Sequence, residues 1–217
     1  MSIKKEDKIW SSNLQVHHPG EFHEEMQKAW DDITGTELDY RQVREARMTE
    51  IGYARRKKVW TKIRRSIAIR NGWRIIKTKW IDINKGDAKD PIYRSRFVGK
   101  EFNNGEADGL FAGTPPLEAL RLLLSQAATI NGKEDYKTIM INDVSRAFFE
   151  APMQAGRNLC IELPDEDMTE EDKKNDMIGY LNQSLYGTRD AAANFQSEVK
   201  KFMMASGFSV GKYNPCT

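Results

Sequence analysis

Histidine and cysteine are scarce in this 217-residue chain, with three of the first and two of the second. Cys160 and Cys216 alone cannot build a disulfide framework or a zinc site, which excludes the small cross-linked secreted class. His17, His18 and His23 sit in the loop-like stretch "VHHPGEFHEE" without a cysteine or a spaced fourth ligand, so no metal site is expected there. No apolar run nears the roughly 20 residues of a membrane span. Residues 1–10 lack the apolar core of a signal peptide. Charged residues make up 30% of the chain and mean hydropathy is -0.68. The expectation is a soluble, intracellular protein with no membrane partner. Internal repeats and low-complexity tracts are also absent. At 25.0 kDa the chain forms one domain or two small ones, large enough for a real core.

What the chain has is a segregated charge. Its net charge is only +2, yet residues 51–100 carry 16 Lys and Arg against 3 acids, a net of +13. The other blocks are mildly acidic. A local basic block points to a polyanion partner, most simply nucleic acid. The alternative is a solvated basic helix.

Periodicity divides the chain into mixed elements. Val59, Ile63 and Ile67 recur every four residues, which predicts one helix from Val43 to Arg70, stopped by Asn71-Gly72. "WRIIKTKWIDINKGDAKDPIYRSRFVGKEF" reads as a hairpin around the turn "NKGDAKDP". Alternation sets Ile76, Thr78 and Trp80 on one face, with Lys77 and Lys79 on the other. On the return strand Arg94, Arg96, Val98 and Lys100 share a face, a plausible comb for phosphates or else a solvated strand edge. "TPPLEALRLLLSQAATING" predicts a helix with Thr114 as cap, Pro115 in the first turn and an apolar stripe of Leu117, Leu120, Leu123, Leu124 and Ala127. A strand "YKTIMIND", a helical turn "SRAFFEA", and strands "NLCIEL" and "MIGYLN" follow. The acidic "DEDMTEEDKKND" reads as a surface loop. The last predicted helix turns Phe195, Val199, Phe202 and Met203 inward and ends at Gly207. Without regular βαβ alternation the expected class is α+β.

Asp143 ends the apolar run of "YKTIMIND". A carboxylate at the mouth of a core strand is held rigidly and can still reach a metal. Magnesium favours carboxylate oxygens together with substrate phosphates. Backbone N–H groups at the start of the following turn favour bound phosphate. The alternative is a structural aspartate capping that turn.

Four segments in order, "KTKWIDINKG", "YRSRFVGKEF", "INDVSRAFFEAP" and "LNQSLYGTRDAAANFQ", followed by "SGF", resemble the reverse transcriptase of copia-type LTR retrotransposons. The resemblance covers about residues 50–217. It implies the right-hand polymerase fold, with fingers over about 51–112 and 151–187 and palm over about 113–150 and 188–217. Residues 1–50 form an N-terminal segment without an assigned role. Asp143 then corresponds to the first metal-binding carboxylate, beside the backbone carbonyl of Val144, in a two-magnesium site for transfer from a dNTP to a primer 3′-hydroxyl. Phe148 corresponds to the residue beneath the deoxyribose that excludes a 2′-hydroxyl, and the backbone of Arg146 and Ala147 to the triphosphate cradle. Arg96, with Arg94 as second choice, matches the fingers cation on the β- and γ-phosphates. Tyr186 and Gly187 match the segment near the nascent base pair. Lys77, Lys79 and Lys100 become nucleic-acid contacts. The implied partners are an RNA template, a DNA primer, dNTP and the remainder of a Pol polyprotein, in a cytoplasmic particle or the nucleus.

The chain departs from the family pattern where a lysine-glutamine pair reads Arg189-Asp190 and a proline reads Ala192. It also carries no Tyr-x-Asp-Asp box, so it is expected to stop before the second catalytic carboxylate box and the thumb. As it stands it is expected to lack polymerase activity. The competing expectation is a nucleic-acid-binding remnant without chemistry.

Overall fold

The computed structural model describes residues 28–87, 89–102, 112–129 and 137–211. His17, His18, His23 and Cys216 lie outside them. A short pair, β1 (Ala29–Trp30) and β2 (Glu37–Leu38), leads into helix α1 (Tyr40–Arg56). Asp39 caps α1 by accepting from the backbone N–H groups of Arg41 and Gln42. Arg55 and Arg56 occupy its last turn, where cations suit the helix dipole. Its buried face holds Val43, Glu50, Ile51 and Ala54, a helical spacing that includes one acid.

The single helix expected over Val43–Arg70 is not formed. Lys58 takes a positive φ of 51° and breaks it. The chain then continues as strand β3 (Trp60–Arg64) and a six-residue helix α2 (Arg65–Arg70), which ends at Asn71-Gly72 as expected. The four-residue spacing of Val59, Ile63 and Ile67 suits a helix, but the β-branched Val59, Thr61 and Ile63 also suit a strand. A tertiary partner decided between them. Trp60–Arg64 pairs antiparallel with β8 (Met177–Leu181), over a hundred residues later, with Trp60 opposite Leu181 and Arg64 opposite Met177.

That pair belongs to a four-stranded sheet of order β3-β8-β7-β4, in which β7 is Leu159–Ile161 and β4 is Arg74–Ile76. β4 and β7 run parallel and the other pairs antiparallel. The expected hairpin is present as a separate two-stranded ribbon, β5 (Thr78–Asn84) with β6 (Tyr93–Gly99), the outgoing strand being interrupted at Lys77. Asn84 accepts from the backbone N–H groups of Gly86 and Ile92 and so closes the turn. The main core joins both sheets through Val59, Ile76, Phe97, Phe149, Leu159, Ile161, Leu181 and Leu185. Phe97 and Phe149 are each 1% exposed, and burying such a ring contributes about 2–3 kcal/mol. The mixture of helices with largely antiparallel pairing is α+β, as expected.

Further expectations are corrected. "YKTIMIND" forms no strand over its described residues: 137–144 have no regular structure, and Ile139, Met140 and Ile141 are exposed. Among the described residues no strand offers a ladder, and an unpaired strand leaves its N–H and C=O groups without partners. Helix α3 (Leu117–Ala128) starts after Pro116 with no side-chain cap, so Thr114 does not serve, and none of its residues is buried. The acidic segment is more than a loop. It contains a 3₁₀ turn (Asp165–Asp167) and helix α4 (Glu170–Lys174), whose Thr169 and Asp172 form a reciprocal capping box. Helix α5 (Ala191–Ala205) ends at Gly207, φ 92°, as expected. Its inward face is Ala191 and Asn194, with Phe195 and Met203 half-buried, whereas Val199 and Phe202 are exposed. No helix among the described residues is long and apolar enough to cross a membrane.

Candidate functional site

Two loops and one strand end converge beside α1. The first loop is a 3₁₀ turn, Ala147–Glu150, entered through Arg146 in the left-handed region at φ 53° and ψ 45°. That conformation costs a non-glycine residue about 1 kcal/mol or more, so its surroundings must hold it. The turn buries Phe149 and leaves Phe148 half-buried. The second loop carries Tyr186-Gly187 and is locked to the end of β6. The Gly99 N–H donates to the Tyr186 carbonyl at 2.7 Å. Gly187 has φ 78°, and a Cβ there would lie 2.1 Å from the Gly99 carbonyl oxygen. Only glycine can occupy that place without moving the strand.

These loops assemble an aromatic cluster. The Phe148 ring centroid is 4.8 Å from that of Tyr186 and 6.4 Å from that of Phe195. Phe149 lies 5.6 Å from Tyr186 on its other flank. Arginine charge acts on Tyr186. The guanidinium carbon of Arg96 stands 5.6 Å from its ring centroid. Burial pushes the Tyr186 hydroxyl above its ordinary pKa, with the charges of Arg96, Arg94 and Arg146 opposing and that of Glu50 adding. Arg96 Nε is buried with no partner among the described residues. The cross-strand register puts Arg94, Arg96 and Val98 opposite Ile83, Ile81 and Lys79, so Lys79 shares the arginine face of the ribbon.

Beneath this lies a layer from α1. Glu50, 2% exposed, accepts from Arg146 Nε at 2.5 Å. Tyr53 lies under the Arg146 guanidinium at 4.6 Å and donates to Glu150 at 2.9 Å. Lys57 binds the other Glu150 oxygen at 2.8 Å, and that bond holds the Glu150 carboxyl below its ordinary pKa. Cys160 is buried, which lifts its thiol to about 11 and leaves it no nucleophilic role.

The residues singled out in the sequence therefore fall into two sets. Arg94, Arg96, Arg146, Ala147, Phe148, Tyr186 and Gly187 come together. Lys77, Lys79 and Lys100 lie exposed near the ribbon's end, where the Lys100 N–H donates to the Lys77 carbonyl at 2.7 Å, and Lys79 is 3.5 Å from Asp32. Asp143 and Val144 are exposed, and Asp143 makes no hydrogen bond or ion pair among the described residues. Those residues group no three His, Cys, Asp or Glu close enough for an ion. One exposed carboxylate does not fit a two-magnesium site. Glu50 and Tyr53 were not anticipated. Their signal was an acid inside the apolar stripe Val43, Ile51, Ala54.

What the cluster can do follows from its charge and shape. Arg94, Arg96 and Arg146 against Glu50 give a local excess of positive charge beside rings packed in tilted and edge-on contacts. Guanidinium forks suit phosphate oxygens, and a ring face suits a sugar or base.

Comparison with known proteins agrees with this chemistry. Residues 58–214 match the family model described as "Reverse transcriptase (RNA-dependent DNA polymerase)". The chain is similar to a "Retrovirus-related Pol polyprotein from transposon TNT 1-94" of Nicotiana tabacum, 26% identical over 155 residues. That similarity covers 69% of this chain and 11% of the relative. No solved structure matches.

Proposed function

Because the chain belongs to the reverse transcriptase (RNA-dependent DNA polymerase) family, we propose that it provides the nucleotide-binding part of a copia-type, RNA-directed DNA polymerase. The reaction served is transfer of a nucleotide from dNTP to a primer 3′-hydroxyl. The observation that carries this reading is the Phe148–Tyr186 ring pair with the Arg96 guanidinium against Tyr186. Arg96, whose Nε has no protein partner among the described residues, is assigned to the β- and γ-phosphates, with Arg94 beside it. The backbone at Arg146 and Ala147 cradles the triphosphate. Phe148 lies under the deoxyribose and opposes a 2′-hydroxyl. Tyr186-Gly187 borders the nascent base pair, and Lys77, Lys79 and Lys100 contact nucleic-acid phosphates. Fingers over about 51–112 and 151–187, with palm over about 113–150 and 188–217, accompany this assignment. RNA template, DNA primer and the remainder of a Pol polyprotein are its partners, in a cytoplasmic particle or the nucleus.

Equilibrium titration of the chain with dTTP and UTP tests the reading. Arg96→Ala is expected to weaken dTTP binding about tenfold, a loss of about 1.4 kcal/mol. Phe148→Ala is expected to narrow the preference for dTTP over UTP. An unchanged ratio removes the sugar-selecting role, and binding indifferent to Arg96 removes the triphosphate site. A second reading, nucleic-acid binding without chemistry, is favoured by the exposed and isolated Asp143. Nucleotide binding separates the two: Arg96-dependent dTTP binding supports the first, and binding of RNA without any binding of dTTP supports the second.

A further inference from the structure

Arg146 is fixed at three points. Its backbone is left-handed, its Nε donates to Glu50, and its guanidinium lies on the Tyr53 ring. Glu50 and Tyr53 are three residues apart on α1 and so share one helical face. The side chain of Arg146 is 27% exposed, and its Nη1 and Nη2 groups make no hydrogen bond among the described residues. Two of its anchors thus leave the outer edge of the fork open. Glu50 itself sits awkwardly for a purely structural group: its side chain is 3% exposed and its Oε1 has no partner among the described residues. A half-satisfied buried carboxylate is a cost that an apolar residue of similar volume would avoid.

Resting on the nucleotide-binding reading above, we propose that Glu50 is a positioning residue. It holds the Arg146 side chain so that the free edge of the guanidinium meets the phosphates of a nucleotide at the Tyr186–Phe148 cluster. Helix α1 thereby forms a wall of the site, although Glu50 precedes the segment 58–214 that matches the family. Arg146 then contributes through its side chain as well as its backbone. Monodentate capture through Nε suits this role, because it consumes one donor and leaves four N–H bonds of a planar fork for oxygen acceptors. Contact with the Tyr53 ring limits the swing of that fork.

Calorimetric titration of the chain with inorganic tripolyphosphate, alongside dTTP, tests the proposal. Arg146→Ala and Glu50→Ala are each expected to weaken tripolyphosphate about tenfold, and the double variant no further than Arg146→Ala alone. Glu50→Gln keeps an acceptor for Nε and is expected to stay within about threefold of wild type. Glu50→Asp keeps the charge but withdraws it by one methylene, so a loss of about fivefold or more is expected. A purely structural Glu50 would lower affinity again in the Arg146→Ala background, which overturns the proposal. Binding tighter than wild type by more than about threefold in Glu50→Gln also overturns it, since Glu50 would then compete with phosphate for Arg146. If Glu50→Ala does not fold, the Gln, Asp and Arg146→Ala results still decide. Wild-type binding that needs Arg96 but ignores Arg146 defeats this inference and leaves the nucleotide reading standing. Absence of wild-type binding defeats both.

Discussion

Arginines of this chain fall into two regions that the sequence writes alike. Along α1 and at the start of α2, Arg47, Arg55 and Arg65 are tied to acids. Arg55 donates to Asp167 at 2.6 Å, Arg47 reaches both Asp82 and Glu166, and Arg65 grips Glu162 through two bonds of 2.7 Å while also holding Asp176. On β6, Arg94 and Arg96 form no ion pair among the described residues and stand beside Tyr186. The basic block over 51–100 is therefore only partly a footprint for a polyanion. Arg55, Lys57, Lys62, Arg65, Arg74 and Lys79 are matched by Asp167, Glu150, Asp172, Glu162, Glu101 and Asp32, all acids outside the block. Arg55, Lys62 and Arg65 attach α1, β3 and α2 to the acidic segment through Asp167, Asp172 and Asp176. Of the cations without an acid partner among the described residues, Arg94 and Arg96 are the two on β6.

The largest expected effect comes from cutting the tied region at its centre. Asp167 is 2% exposed and accepts from Arg55 Nε and from Trp60 Nε1, the latter at 2.9 Å. Asp167→Ala leaves the part-buried Trp60 Nε1 without an acceptor and removes the partner of half-exposed Arg55 and of Lys62, and urea unfolding should show a loss of about 2–3 kcal/mol. Gly187→Ala comes next. A methyl placed 2.1 Å from the Gly99 carbonyl at φ 78° should cost about 2 kcal/mol or more by the same measurement and weaken dTTP binding as Tyr186 shifts.

A substitution in the open group should invert this pattern. Arg96→Met removes a buried unpartnered Nε and is expected to leave stability within about 0.5 kcal/mol of wild type, or to raise it. Polyanion binding should weaken instead. The slope of log affinity against log salt for single-stranded RNA should become shallower by about 0.7 for each phosphate that is no longer neutralised. If Arg65→Ala weakened RNA binding as much as Arg96→Met, the division between tied and open arginines would be wrong.

Acid gives a smaller, graded test. Asp172 is lowered to about 2, first by its hydrogen bond from Lys62, and Asp31 to about 2, first by the Asn84 N–H. A depressed folded pKa means stability that is present above the ordinary carboxylate value of 3.8 and lost as pH falls toward about 2. Thermal midpoints should fall across that window, and Asp172→Asn with Asp31→Asn should flatten the fall. The smallest effect belongs to Asp143→Asn. Exposed and without partners among the described residues, it should change stability by less than about 0.5 kcal/mol, as a thermal melt will show.

Much of this molecule was legible in the amino-acid order. The turn at Asn84–Asp90, the stops at Asn71-Gly72 and Gly207, the ribbon and the class follow from local chemistry that acts within a few residues. The resemblance of the ordered segments also named the arginines, Phe148 and Tyr186-Gly187 before their proximity was known. Alternation alone set Lys77 and Lys79 opposite the faces of Ile76, Thr78 and Trp80. The register was needed to bring Lys79 onto the face of Arg96.

Tertiary structure decided whatever depended on partners distant in sequence. Val59–Ile67 satisfies a helix period and a strand propensity equally, and the ladder to Met177–Leu181 settled it. The run Ile139–Ile141 has the composition of a strand but no ladder to join among the described residues, so Asp143 stays exposed. Charge behaves the same way. A sequence records how many arginines a segment carries; only packing fixes which acids meet them, because ion pairing depends on distance and desolvation. Glu50 illustrates the limit. Its place in an apolar helical stripe was written in the sequence, but its partner, Arg146, lies 96 residues away, and only the fold brings the two together.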